Sequence, residues 1–186
     1  MNFAFNPKKC AQAAAILLRL NDGDMDKYLF IKMLYLADRK AMEKWGEPIT
    51  GDRAASMEYG PVLSNVYDLT KGDCPGERGN WEPFISDADE QTNTVSLKSD
   101  PGIDELAKAE ITILESVHAQ FKGFTWKQMR DYSHTLGEYE KVGKSSKRIP
   151  PEAILRALGR SEDEILEVQK RHRGIEVAEM LLTEAC

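Results

Sequence analysis

The chain has 186 residues, 41% of them hydrophobic, and its 25 Lys and Arg against 31 Asp and Glu leave a net charge of −6. That length fits one compact domain, and the apolar fraction is that of a globular chain, which excludes a disordered acidic tail. The longest uninterrupted apolar run is Ala13–Leu18, far short of the roughly 20 residues of a membrane span; Lys8 and Lys9 precede no long apolar stretch with a cleavage site, so no membrane segment and no signal peptide are expected.

Asn6 is placed to cap a first helix and Pro7 to open it. Cys10, Ala13, Ala14 and Leu17 recur along it at helical spacing until Asn21-Asp22-Gly23 ends it. A second helix opens at Asp24 or Asp26 and closes at Gly46. Leu29, Phe30, Ile31, Met33, Leu34, Leu36 and Ala37 cover nearly its whole circumference, which predicts a buried central helix. Lys32 and Asp38 are the charges inside that stretch. Six residues apart, they sit on different faces, so each needs water or a partner from elsewhere. Glu47–Tyr59 reads as a connecting loop. Gly60-Pro61 then starts a short third helix, with Val62, Leu63, Val66 and Leu69 inward and Gly72 at its end.

Gly72–Asn80 is a surface loop. Trp81–Ile85 and Thr94–Leu97 have strand-like composition and predict a small antiparallel hairpin lying on the helices. Helical periodicity returns from Leu106 to Phe121 and breaks at Gly123. Thr125 caps a helix over Trp126–Thr135, and Glu138–Val142 reads as a further turn. Gly143–Pro151 is a basic loop and the best candidate hinge. Pro151–Leu158 forms a short helix. Ser161 and Glu164 make a capping box that opens a terminal helix with Ile165, Val168, His172, Ile175 and Leu182 on its apolar stripe. The expected fold is mainly α: a compact helical domain around a buried central helix, with one small antiparallel β-hairpin.

The chemistry-bearing residues form no familiar constellation. His118, His134 and His172 share no HxxxH or HExxH spacing, so no metal site is expected. Cys10, Cys74 and Cys186 are odd in number, with no CxxC; Cys10 reads as buried filler, and a reducing cytoplasm is the expected compartment. Gly143-Lys144-Ser145 looks like the end of a P-loop, but Glu138 stands where the first glycine belongs and no buried strand precedes it. Asp131 and His134 share a helix face while Ser133 points away, so a structural Asp–His contact is expected rather than a triad. No cofactor is implied. Lys144, Lys147 and Arg148, and Lys170, Arg171 and Arg173, are basic clusters, but residues 144–186 sum to zero charge, which disfavours nucleic acid. Residues 73–115 hold 11 acids against 3 bases, a surface suited to solubility or to a basic protein partner. Tyr35, Tyr59 and Tyr67 serve either core packing or an interface.

Two stretches stand out together. Ile31-Lys32-Met33-Leu34-Tyr35-Leu36-Ala37-Asp38 carries K-x-L-Y-x-A on a helix, and Gly60-Pro61-Val62 is followed by Tyr67, giving G-P-V-x-x-x-x-Y after a loop. The pair resembles the Panacea domain family, also described as SocA-like antitoxins and phage-associated proteins. The resemblance runs over most of residues 10–140. It implies a mainly helical domain over residues 1–142, with 143–186 as a C-terminal helical extension packed on the same domain. It also implies an antitoxin that neutralises a cognate toxin protein by direct binding, with no enzyme activity, cofactor or metal. The residues it singles out are Lys32, Tyr35, Asp38, Tyr59, Gly60, Pro61, Tyr67 and His134, with Gly60 and Pro61 in a backbone role and Lys32 and Asp38 holding the loop to the central helix. The alternatives are a proteolytic adaptor delivering a toxin to a Clp-type protease and an enzyme using Asp131 and His134. A homodimer through the last helix stays open. A basic toxin is expected to meet the acidic segment through Asp87, Asp89 and Glu90.

Overall fold

The structure, a computed structural model, describes residues 1–73 and 76–184. Cys74 and Cys186, and the side chains of Ile175 and Leu182, lie outside the described residues. Seven helices and two small antiparallel sheets follow in the order α1 (Pro7–Leu20), β1 (Asp24–Asp26), α2 (Lys27–Trp45), β2 (Ala54–Met57), β3 (Gly60–Leu63), α3 (Ser64–Leu69), β4 (Thr94–Ser96), α4 (Lys108–Phe121), α5 (Trp126–Ser133), β5 (Lys147–Ile149), α6 (Pro151–Ala157) and α7 (Glu162–Glu184). The mainly α fold with a few strands stands as the sequence predicts.

The helix ends obey local chemistry. Asn6 Oδ1 accepts from the Lys9 amide at 2.9 Å, and Asp26 Oδ1 from the Leu29 amide at 3.1 Å. The Ser161–Glu164 box closes in both directions at the start of α7. Gly46, left-handed at φ +86°, ends α2. Arg160, just before α7, and Arg171 within it reach back to the Glu43 and Trp45 carbonyls in that last turn, the end where the helix dipole favours cations.

α2 is the core. It packs against α1, α4, α5 and α6, and Phe30 to Ala37 are all buried. Small side chains on α1 (Ala11, Ala13, Ala14) are fully buried, as is Cys10, whose thiol is pushed well up by burial.

Five segments differ from the sequence expectation, the first being the expected Glu47–Tyr59 loop, which contains the strand Ala54–Met57. Gly60-Pro61 does not begin a helix: Gly60–Leu63 is a strand paired antiparallel with Ala54–Met57, and α3 starts only at Ser64. Gly60 at φ +101° is incompatible with a right-handed helix, and Pro61, lacking an N–H, sits in β3, the edge strand of the order β3-β2-β5. Thr94–Ser96 is a strand, but its ladder partner is β1, with Met25 opposite Val95. Trp81–Ile85 contributes one bridge, Ile85 to Leu97, because Trp81–Phe84 curls into a turn around Pro83. Glu138–Val142 adds no helical turn, and the Gly143–Pro151 segment carries β5, which pins it onto β2.

The acidic segment is largely occupied by internal pairs. Lys8 meets Asp104 at 2.6 Å and Glu105 at 3.2 Å, Lys9 meets Glu110 at 2.8 Å, and Arg19 pairs with Asp100. Arg78 holds Glu82 and Asp87, each at 3.2 Å. Asp89 accepts from the Gln91 and Thr92 amides of its own turn. Of Asp87, Asp89 and Glu90, only Glu90 is left without such a bond among the described residues.

Candidate functional site

Lys32, Tyr35 and Arg39 fall on one side of α2 by their spacing, and each finds a partner from a distant part of the chain. Lys32, only 2% exposed, donates from Nζ to the Pro61 carbonyl at 2.6 Å, with the Tyr28 ring centroid 5.3 Å away. Burial pulls its amine down to about 7. Tyr35 donates its hydroxyl to Glu138 Oε1 at 2.6 Å, and Arg39 grips the same carboxylate through Nε at 2.7 Å and Nη2 at 3.2 Å. Burial, and then Glu138, raise the Tyr35 hydroxyl well above its ordinary value.

Asp38 takes its partners from a different segment. Its Oδ1 accepts from the Ile49 and Thr50 amides, each at 3.0 Å, and its Oδ2 from the Thr50 hydroxyl. Burial pushes this carboxyl up to about 7 while the Thr50 donors act against it. Asp52 continues the chain of polar contacts: its carboxylate accepts from Asn65 and Val66 at 3.1 and 3.0 Å and so caps α3 from outside the helix. Burial raises it, and those backbone donors lower it.

Lys32 and Asp38 thus fasten β3 and the 49–50 segment to the central helix, and they do not pair with each other. The arrangement leaves no room at Gly60. A Cβ there would stand 2.2 Å from Ser133 Oγ and 3.1 Å from Lys32 Nζ. Ser133, buried on α5, donates to the Arg130 carbonyl at 2.9 Å and reaches the Tyr59 carbonyl at 3.5 Å.

Above this buried network lies an aromatic face. Tyr59, at the β2–β3 turn, is 51% exposed, and Trp126 at the start of α5 is 45% exposed. Tyr28 stands between them edge-on, 6.5 Å from Tyr59 and 6.2 Å from Trp126 by ring centroid, and donates its hydroxyl to the Tyr59 carbonyl. Burial raises that hydroxyl further than Ser133 lowers it. Arg130 and Lys127 lie over the Trp126 ring at 5.5 and 5.8 Å. His134 stacks flat on Tyr139 at 4.5 Å, and its Nε2 is buried with no hydrogen bond among the described residues. Burial, Lys32 and Arg130 push its imidazole below the ordinary range. Tyr67 lines a cleft of about 420 Å³ beside Tyr28 and Tyr59, and Lys71 lies 5.0 Å over its ring.

The remaining sequence candidates do not converge. Asp131 is taken by Arg130 at 2.6 Å, not by His134, and Ser133 bonds carbonyls, so no Asp–His–Ser relay is assembled. His118 meets Asn21, and His172 meets the Asn2 carbonyl, each far in the fold from His134. Among the described residues, no group of three His, Cys, Asp or Glu is placed to hold a metal ion, and no helix is long and apolar enough to cross a membrane. Gly143, Lys144 and Ser145 border the 420 Å³ cleft, but they lead into a strand rather than a helix.

Residues missed by the sequence reading are Tyr28, Arg39, Asp52, Trp126 and Glu138. Trp126, the apolar first residue of a capped helix, carried a weak signal in its position. The others depend on partners up to about a hundred residues away and carry none.

The motif residues therefore divide between buried polar anchors on the central helix (Lys32, Tyr35, Asp38) and the β3 turn and aromatic face around Tyr59, in a mainly helical domain with short sheets. Residues 30–139 match the family of antitoxin SocA-like proteins with a Panacea domain, and the chain belongs to that family. No curated protein and no solved structure matches the chain.

Proposed function

We propose that this chain is an antitoxin that neutralises a cognate toxin by direct protein–protein binding, with no bond made or broken by its own side chains. Membership of an antitoxin family supports the general role. The observation that carries the binding mode is the pair of half-exposed aromatics, Tyr59 and Trp126, fixed on either side of Tyr28. Large aromatics held rigidly at a surface lose little entropy on binding and dominate interface energetics. The bonds of Tyr28 and Ser133 to the Tyr59 carbonyl, and of Lys32 to Pro61 two residues on, hold Tyr59 in place before any partner arrives.

The test is co-expression with the product of the neighbouring gene. Wild-type chain is expected to restore growth and to co-purify with that product, and the purified chain alone is expected to inhibit it. Tyr59→Ala with Trp126→Ala is expected to weaken the complex by about 30-fold or more while leaving the fold intact. Rescue that requires a Clp-type protease in the host would replace direct occlusion with delivery for proteolysis. Rescue and binding untouched by the aromatic pair would remove this face from the interface.

A further inference from the structure

The cleft beneath Tyr59 is bordered by lysines that no carboxylate among the described residues neutralises. Its walls are mostly apolar, formed by Tyr28, Ile31, Met57, Val62 and Tyr67, and its volume of about 420 Å³ is that of a ligand pocket. Three lysines border it: Lys27, Lys32 and Lys144. None makes an ion pair among the described residues, in a chain of net charge −6 where Lys8, Lys9, Arg19, Arg78, Lys147 and Arg171 are all paired. Glu58 is the one acid on the lining. Lys32 is held at the wall by the Pro61 carbonyl at 2.6 Å, and burial lowers its amine, so the positive charge of the cleft is carried by Lys27 and Lys144.

We infer that this cleft receives an acidic segment of the toxin that inserts an apolar or aromatic side chain between Tyr28 and Tyr67 and sets flanking carboxylates against Lys27 and Lys144. The inference rests on the antitoxin reading and gives it a specific chemistry: the partner's contact segment is negative, although the chain's own net charge would suggest a basic partner. A protein segment is favoured over a phosphate ligand by the backbone. Phosphate sites gather free amide groups at a helix start, whereas Gly143–Ser145 runs on toward β5, and Lys27, the first residue of α2, has its amide bonded to the Asn93 carbonyl at 2.8 Å. Most of the acids of residues 73–115 that a basic partner would need are already held by internal bonds, Glu90 being an exception.

The experiment uses the full chain and a fluorescent peptide, Asp-Glu-Phe-Asp-Glu, read by anisotropy. The acidic peptide is expected to bind, and a Lys-Lys-Phe-Lys-Lys peptide to bind at least about tenfold more weakly. Lys27→Glu with Lys144→Glu is expected to lower the acidic peptide's affinity about tenfold or more and to abolish its salt dependence, whereas Glu58→Lys tightens it. Glutamate in the first turn of α2 suits the helix dipole, and Lys144 is exposed, so the double variant keeps its fold. Equal binding of the two peptides, indifference to the double substitution, or displacement of the peptide by adenosine monophosphate would each overturn the inference. Co-expression separates this from the broader proposal. Wild-type rescue undiminished by Lys27→Glu with Lys144→Glu overturns the acidic-segment inference alone. Failure of the wild type to rescue overturns the antitoxin reading and, with it, the toxin as the occupant.

Discussion

Substituting Gly60 by alanine isolates the junction on which the family motif is built. Two separate effects add. The backbone stands at φ +101°, where an L side chain costs about 1–2 kcal/mol. The new Cβ would lie 2.2 Å from Ser133 Oγ and 3.0 Å from Ser133 Cβ, an overpacking that costs about 1–3 kcal/mol once α5 shifts. Gly60→Ala should therefore lose about 2–5 kcal/mol, seen as a Tm lower by roughly 4–20 °C for a chain of this length. Gly143→Ala is the control: it has φ +60° and nothing within 4 Å of its Cβ, so only the backbone cost of about 1–2 kcal/mol applies. Ser133→Ala in the Gly60→Ala background removes the nearest clashing atom and should return about 1–2 kcal/mol in a double-mutant cycle. Urea unfolding followed by circular dichroism measures all four variants. A Gly60→Ala loss no greater than that of Gly143→Ala, or strict additivity with Ser133→Ala, would refute the steric argument.

Three other perturbations bear on the buried polar network. Glu138→Ala leaves Arg39 and Tyr35 without their shared acceptor and should cost about 3–5 kcal/mol in urea unfolding; a loss below about 1 kcal/mol would mean that water replaces the carboxylate freely. Asp52→Ala strips the cap from the Asn65 and Val66 amides and should cost about 1–2 kcal/mol, with faster hydrogen exchange at Val66 as the local signature. The pH profile has a distinct shape. Lys32 releases its proton near 7 in the folded chain against 10.5 when unfolded, so the unfolded chain binds more protons above pH 7 and stability rises with pH from there. Asp38, at about 7 folded against 3.8, acts in the opposite sense below pH 7: the folded chain binds more protons, and stability falls as pH climbs through that window. Lys32→Met should flatten the rise between pH 7 and about 8.5; an unchanged slope there would assign it to another group.

The helices were legible because their signals are local. Asn6-Pro7, Asp26, Thr125 and the Ser161–Glu164 box each act within four residues, and the all-round apolar stretch of α2 announces a buried helix whatever surrounds it. Of the strands only β4 was legible, and its partner was not, since β1, β4 and β5 span only three residues each and pair with segments far along the chain. Gly60-Pro61 misled for a definite reason: Pro fits the first turn of a helix and an edge strand equally well, and the left-handed φ of Gly60 that decides between them is invisible in the sequence. At the site, the need of Lys32 and Asp38 for outside partners followed from their spacing. Which groups answered that need, a proline carbonyl and a pair of loop amides, did not. The acidic segment shows the limit of charge counting: eleven acids in a row of residues say nothing about the bases that α1 brings to meet them.

The bond between Arg39 and Glu138 has a consequence in time. Its two ends are separated by 99 residues, and a ribosome adding about 5–20 residues per second takes roughly 5–20 s to cover that span. Through that interval Tyr35 and Arg39 already exist without the carboxylate that joins them, and α5, which carries Ser133 and Trp126, is still incomplete for most of it. The nascent chain therefore exposes Tyr28 and Tyr59 well before Trp126 exists to complete the aromatic face, so that face assembles only after α5 has been made.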